Sequence, residues 1–170
     1  MSISRRTRLS FSTGSAILSG TGERFGGETS RFSYHVTGAA NLAHEMGRTW
    51  KAQLAYRRGV DFHEGFRAPF LTDGVSAAIG GLVSTRVRFS AGADYVFGKV
   101  SVTAPTGKFS SVSANTGLEF GLSRMLALFA RYVYYKYDFD SQIALDPRLA
   151  RALDRQGVRV GLQASLPVIR

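Results

Sequence analysis

Asp61, His63 and Glu64 form the densest run of metal-ligand side chains in the chain. Zinc sites draw three or four ligands from the protein, usually from separated positions. No second cluster stands ready to complete this one, so Asp61-Phe62-His63-Glu64 reads as a solvated loop. His35 and His44 are isolated and read as structural. Asp138 and Asp140 place two carboxylates at a loop edge, without the ligand spacing of an EF-hand. Gly20, Gly22, Gly26 and Gly27 lack the strand–turn–helix setting of a dinucleotide loop. Serine is abundant, but no G-x-S-x-G elbow occurs and no Ser/His/Asp set can be assembled. The reading is of a non-enzyme, with no catalytic residue, no metal and no cofactor assigned.

The charged residues carry more information. Formal net charge is +10, from 22 Lys and Arg against 12 Asp and Glu. Such an excess suits nucleic acid, anionic lipid or acidic solutes. Nucleic-acid binding asks for a basic cluster with interleaved aromatics; here the basic residues fall about one per segment. Arg8, Lys51, Arg57, Arg86, Arg88, Arg131 and Arg159 share one phase of a two-residue alternation, with Asp94 and Glu119 as the acids. If that phase is enclosed, the charges must pair, because a buried unpaired charge is costly. Glu119 lies one segment from Arg131 and one from Arg88, and Arg131 neighbours Arg159. Two readings follow: an Arg-Glu-Arg network filling a closed lumen, or a basic pore wall that favours anionic solutes.

The elements that must position these residues are strands. Apolar and polar residues alternate through Leu9–Ile17, Phe32–Leu42, Trp50–Arg57, Val75–Gly80, Arg86–Phe97, Ser111–Leu122, Leu126–Tyr135 and Gly157–Leu166. Alternation of this period marks a strand with one apolar side. Most segments have the length a tilted strand needs to cross a bilayer. Short connections (Ala43–Arg48, Leu82–Thr85, Ser123–Arg124) take turns with long ones (Ser19–Ser30, Arg58–Thr72, Gly98–Ser110, Asp138–Arg155). The pattern predicts an all-β fold: one domain over residues 1–170, an eight-stranded antiparallel up-and-down transmembrane β-barrel. Both termini then lie at the short-turn end. Leu149 to Leu153 in the last long connection suggests a short helical turn. The chain has no cysteine and no apolar run long enough for a transmembrane helix. No secretory signal follows Met1, which points to a mature form with an added Met1 or to a fragment of a larger barrel.

Side-chain volume selects which phase faces out. An eight-stranded barrel has an interior only just wide enough for side chains. One phase carries Phe, Leu, Tyr, Trp and Val; the other is mostly Gly, Ser, Ala, Asn and Thr. The bulky phase therefore faces lipid. Phe32, Tyr34, Tyr56, Tyr95, Phe97, Tyr132 and Tyr134 fall toward the long-loop ends of that phase, and Trp50 and Phe120 toward the short-turn ends. Aromatic rings at both levels match a membrane girdle. A soluble ligand-binding barrel, apolar inside, is the alternative that uses the same alternation.

Leu118-Glu119-Phe120-Gly121-Leu122-Ser123-Arg124-Met125-Leu126-Ala127-Leu128, the run Arg131 to Asp140 and the closing Arg155 to Leu162 resemble the final strands of Gram-negative outer-membrane β-barrel proteins. In size and strand number the chain is similar to small OmpA/OmpX-type barrels. In texture it is similar to the C-terminal part of larger porin-like barrels, some associated with exopolysaccharide export. The resemblance implies an outer-membrane location in the cell envelope and a structural or porin-like role. It also implies contact with a bilayer bearing lipopolysaccharide and dependence on the barrel-assembly machinery. A wider anion- or polysaccharide-passing channel would follow if this chain supplies only part of the wall. The chain departs from such families at its end, which is Leu166-Pro167-Val168-Ile169-Arg170 and not an aromatic residue.

Overall fold

The computed structural model describes residues 2–4, 6–24, 27–61, 70–100, 107–141 and 150–164. The elements are β1 (Ser2–Ser4), β2 (Thr7–Arg24), β3 (Gly27–Met46), β4 (Trp50–Asp61), β5 (Phe70–Leu82), β6 (Val87–Val100), β7 (Gly107–Gly121), β8 (Leu126–Phe139) and β9 (Ala152–Ala164). They form one sheet in sequence order, every neighbouring pair antiparallel. The fold is thus all-β, eight long up-and-down strands with the short β1 added at one edge.

Three tight turns at one end hold the register. At Met46–Trp50 the chain reverses through Gly47, whose φ of 66° is open to glycine at little cost. The turns at Val83–Arg86 and Leu122–Met125 share one construction. The Ser84 hydroxyl oxygen accepts from the backbone N–H groups of Arg86 and Val87, at 3.3 and 3.2 Å. Ser123 does the same for Met125 and Leu126, at 3.2 and 3.1 Å. A hydroxyl thus adds a side-chain acceptor for the turning backbone; Val87 N–H also reaches the Ser84 carbonyl at 3.4 Å.

At the other end the strands outrun the sequence pattern. β2 and β3 pair continuously from Thr7↔His44 to Arg24↔Gly27, so Ser19–Ser30 is chiefly ladder and not loop. Beyond Ile17 the residues turn polar on both phases, and the alternation that marks a half-buried strand vanishes while the backbone pairing goes on. Likewise β4 continues to Asp61 and β6 to Val100, while β8 continues to Phe139 with its aromatic residues moved to the other phase at Tyr135, Tyr137 and Phe139. Ala152 and Leu153, expected in a helical turn, open β9; Leu149 lies outside the described residues, as do Phe62, His63 and Glu64.

The sheet is not closed. β9 pairs with β8, β2 pairs with β1 and β3, and among the described residues no rung joins β2 to β9. The expected closed barrel is corrected to an open sheet with two free edges. Its hairpins settle each strand beside its neighbour in sequence, but nothing in a hairpin specifies how the two outermost strands meet.

Nor does the sheet enclose a core. Phe70, 1% exposed, is the buried apolar side chain among the described residues. The accessible surface is 13217 Å². A compact soluble protein of this mass would expose only about 8,200 Å².

Candidate functional site

Partners across the ladder share a face, so the registers sort every strand residue onto one of two faces. The rung Leu42–Leu54–Ala77–Ala93–Ala114–Tyr134 lies on the first, with every second residue of each strand. Twenty of the large apolar strand residues recorded as exposed fall there, from Phe11 and Ile17 on β2 to Val158, Val160 and Leu162 on β9. Only Leu82, Val133 and Tyr135 fall on the other face. Exposed apolar patches on soluble monomers rarely exceed a few hundred Å², and this one runs across eight strands.

Aromatic residues border this face. Near the short turns, the Trp50 indole N–H donates to the Leu82 carbonyl at 3.0 Å. Its ring covers Gly81 and leans on Phe89 with centroids 6.1 Å apart. Phe120 sits one step closer to the turns, on the rung of Val87 and Leu128. Toward the far end, Tyr56 and Tyr95 occupy one rung through Val75, and Tyr95 stacks on Phe97 at 5.4 Å. The tyrosine hydroxyls reach polar partners: Tyr56 donates to Asp73 at 2.5 Å, Tyr132 to Gln156 at 3.0 Å and Tyr134 to Asp154 at 3.2 Å. Trp50 and Tyr56 stand six residues apart on β4, roughly 20 Å of strand at about 3.4 Å per residue. At the tilt of about 40° found in membrane barrels, that length spans about 16 Å of height, less than their apolar band of about 25 Å. Tyr34 does not join this level. Ala40 is the partner of Tyr56, and Tyr34 lies six residues further out on the β2–β3 hairpin.

The second face is polar and carries the expected cations, with partners of its own choosing. Lys51 pairs with Glu45 at 3.7 Å. Arg57 donates to Asp61 at 2.7 Å, and Asp61 also accepts from the Thr72 hydroxyl at 2.9 Å. Asp94 accepts from Ser113 at 3.3 Å. Arg88 stands opposite Glu119, and Arg131 opposite Arg159. These last four line an open hollow of about 220 Å³ with Ser90 and Phe129. Among the described residues Glu119 makes no ion pair within 4.0 Å. A larger hollow of about 920 Å³ adjoins it, sharing Arg88 and Ser90 and reaching Lys51 and Asp94. Arg86 belongs to the turn before β6, not to the strand.

Glu45 and Asp61 were not legible as polar-face acids, because the alternation breaks before either residue. An aromatic ladder was also missed. Phe70, Phe109 and Phe139 line up across β5, β7 and β8, with centroids 5.2 and 5.9 Å apart. Tyr137 and Tyr135 continue it along β8 at 5.3 and 5.9 Å. The spacing Tyr135-x-Tyr137-x-Phe139 was the available signal, placed past the point where the apolar pattern ends.

Among the described residues no group of three or more His, Cys, Asp or Glu side chains is arranged to hold a metal ion, and no helix is long and apolar enough to cross a membrane. No protein-family model, curated protein or solved structure matches the chain.

Proposed function

We propose that this chain is wall material of an outer-membrane β-barrel, non-catalytic and structural or porin-like. Its apolar face meets lipid and its arginine-bearing face lines an aqueous interior. One observation carries the reading: the exposed apolar side chains gather on one face of a sheet that holds no apolar core between layers. At about 25 cal/mol per Å², a face of this extent is strongly unfavourable in water. A soluble ligand-binding barrel would instead turn the same side chains inward.

The chain has no cysteine, so single introduced thiols report cleanly. Nitroxides at Leu128→Cys and Leu162→Cys, in vesicles, are expected to collide with oxygen dissolved in the bilayer. Labels at Ser113→Cys and Gln163→Cys are expected to meet a water-soluble nickel chelate. Equal aqueous access at all four positions would defeat the proposal.

The free edges favour a second feature, a ring completed through β2 and β9. Unpaired backbone groups are not tolerated in hydrocarbon. Eight up-and-down strands leave the two outer edges antiparallel to each other. The rung through Leu9 ends at Gln156 on β9. A barrel stagger of about eight residues would set Gln156 beside Ile17 and Val160 beside Thr13. The outward extension of β2 then supplies the rungs that β9 needs, and apolar residues meet on the apolar face. Thr13→Cys with Val160→Cys is expected to form a disulfide on oxidation. A cross-linked multimer supports the wider channel, and a cross-linked monomer supports a small closed barrel. Failure to cross-link in either form rejects this edge pairing.

A further inference from the structure

Opposed charges in this sheet are mostly complementary. Glu45 faces Lys51, Arg58 faces Asp73, Arg88 faces Glu119 and Lys136 faces Asp154. Three rungs break the rule, Glu23↔Glu28, Lys99↔Lys108 and Arg131↔Arg159. The lysine rung shares its hollow with Asp138 and Asp140, which offset it. The arginine rung has no such supply. Its hollow is lined by three arginines, Arg88, Arg131 and Arg159, against a single acid, Glu119, which already stands opposite Arg88. Neither Arg131 nor Arg159 makes an ion pair within 4.0 Å among the described residues. Like charges directly opposite on one face, with β-carbons about 5 Å apart, work against the sheet.

We propose that the Arg131–Arg159 rung is an oxyanion-binding subsite on the polar face, and that its ligand is a carboxylate-bearing solute. The inference rests on the reading that this face lines an aqueous interior. The local sequence keeps the site open. Arg159 is flanked on its own face by Gly157 and Gly161; space around Gly157 is empty, and the Phe129 ring covers Gly161. Along β9, therefore, no side chain flanks Arg159 on its own face, and the Phe129 ring bounds it from β8. Two planar forks on adjacent strands can each offer paired N–H donors to one carboxylate. Gln163 on the same wall adds an uncharged amide. The 220 Å³ of the hollow is the space of about seven water molecules at ~30 Å³ each, enough for a small carboxylate with part of its hydration.

The test is equilibrium dialysis of labelled citrate against the full chain in neutral-detergent micelles at low salt, alongside thermal melting. Arg131→Gln or Arg159→Gln is expected to weaken citrate binding by about tenfold or more, and Arg131→Lys by less, because charge survives but the planar fork does not. Arg8→Gln, on the same face but distant in the sheet, is expected to change binding less than about twofold. Without citrate, Arg159→Gln is expected to melt no lower than the parent, since it relieves a repulsion. Citrate should raise the melting temperature of the parent and not of the variant. An equal loss with Arg8→Gln, or equal competition by chloride, would reduce the effect to bulk charge and overturn the subsite. Competition by inorganic phosphate as strong as by citrate would overturn the carboxylate assignment. The micelle assay needs no closed ring. Lost citrate binding with the expected nitroxide pattern therefore rejects the subsite alone, whereas a reversed nitroxide pattern rejects the wall reading.

Discussion

Gly81 is where the Trp50 ring lies flat against the sheet. A β-carbon at that position would collide with the indole and crowd the Trp50 backbone, so even alanine must displace Trp50. Gly81→Ala is expected to cost about 1–3 kcal/mol, the range for overpacking. Because Trp50 is the single tryptophan, its fluorescence should shift as the indole loses its bond to Leu82; an unchanged spectrum would refute the placement. Ser84 and Ser123 make a second residue-scale case. Alanine at either removes an acceptor shared by two backbone N–H groups. A loss of about 0.5–1.5 kcal/mol per site is expected in denaturant titrations. Both serines could be seen as turn residues in the sequence. The seating of Trp50 on Gly81 could not, since it depends on the β4–β5 register.

Among the elements, side chains tie β4 to β5 and join β5, β7 and β8 at the far end of the sheet. The Arg57–Asp61–Thr72 set ties β4 to β5, and Phe70 packs under Phe109 on the same face. Truncating buried Phe70 to Ala is expected to cost about 3–5 kcal/mol. Phe70→Leu should cost far less, as hydrogen–deuterium exchange of the β5 amides in micelles would reveal. The strand cores were legible because a surface apolar on one side and polar on the other imposes a two-residue period. Their outer extensions were not, because Leu18 to Arg24 and Gly27 to Arg31 carry no such contrast although the ladder continues. Asp61 and Glu45 sit where the pattern fades, which is why their pairing with Arg57 and Lys51 had to come from the register.

The whole molecule is a single layer. Among the described residues it has one apolar face and no apolar interior, so the proposed wall reading predicts that its folding depends on an amphiphile. In plain buffer the chain is expected to aggregate, and in micelles or vesicles to develop a cooperative β circular-dichroism signal. A monodisperse, cooperatively folding monomer without detergent would contradict that expectation and favour a soluble barrel. At this scale the free edges matter most: on the proposed wall reading, the way they are completed decides between a small closed barrel and a wider channel.

The sequence by itself determined the strands, their order of reversal and the two unlike faces. Each of these follows from local alternation and turn chemistry between residues close along the chain. Only the tertiary structure decided which charges stand opposite one another, that β2 and β3 run on past their apolar segments, and that the sheet stays open. Those outcomes depend on register between strands and on the meeting of distant edges, where the pairing of a strand with its neighbour has no counterpart in the period of its own residues.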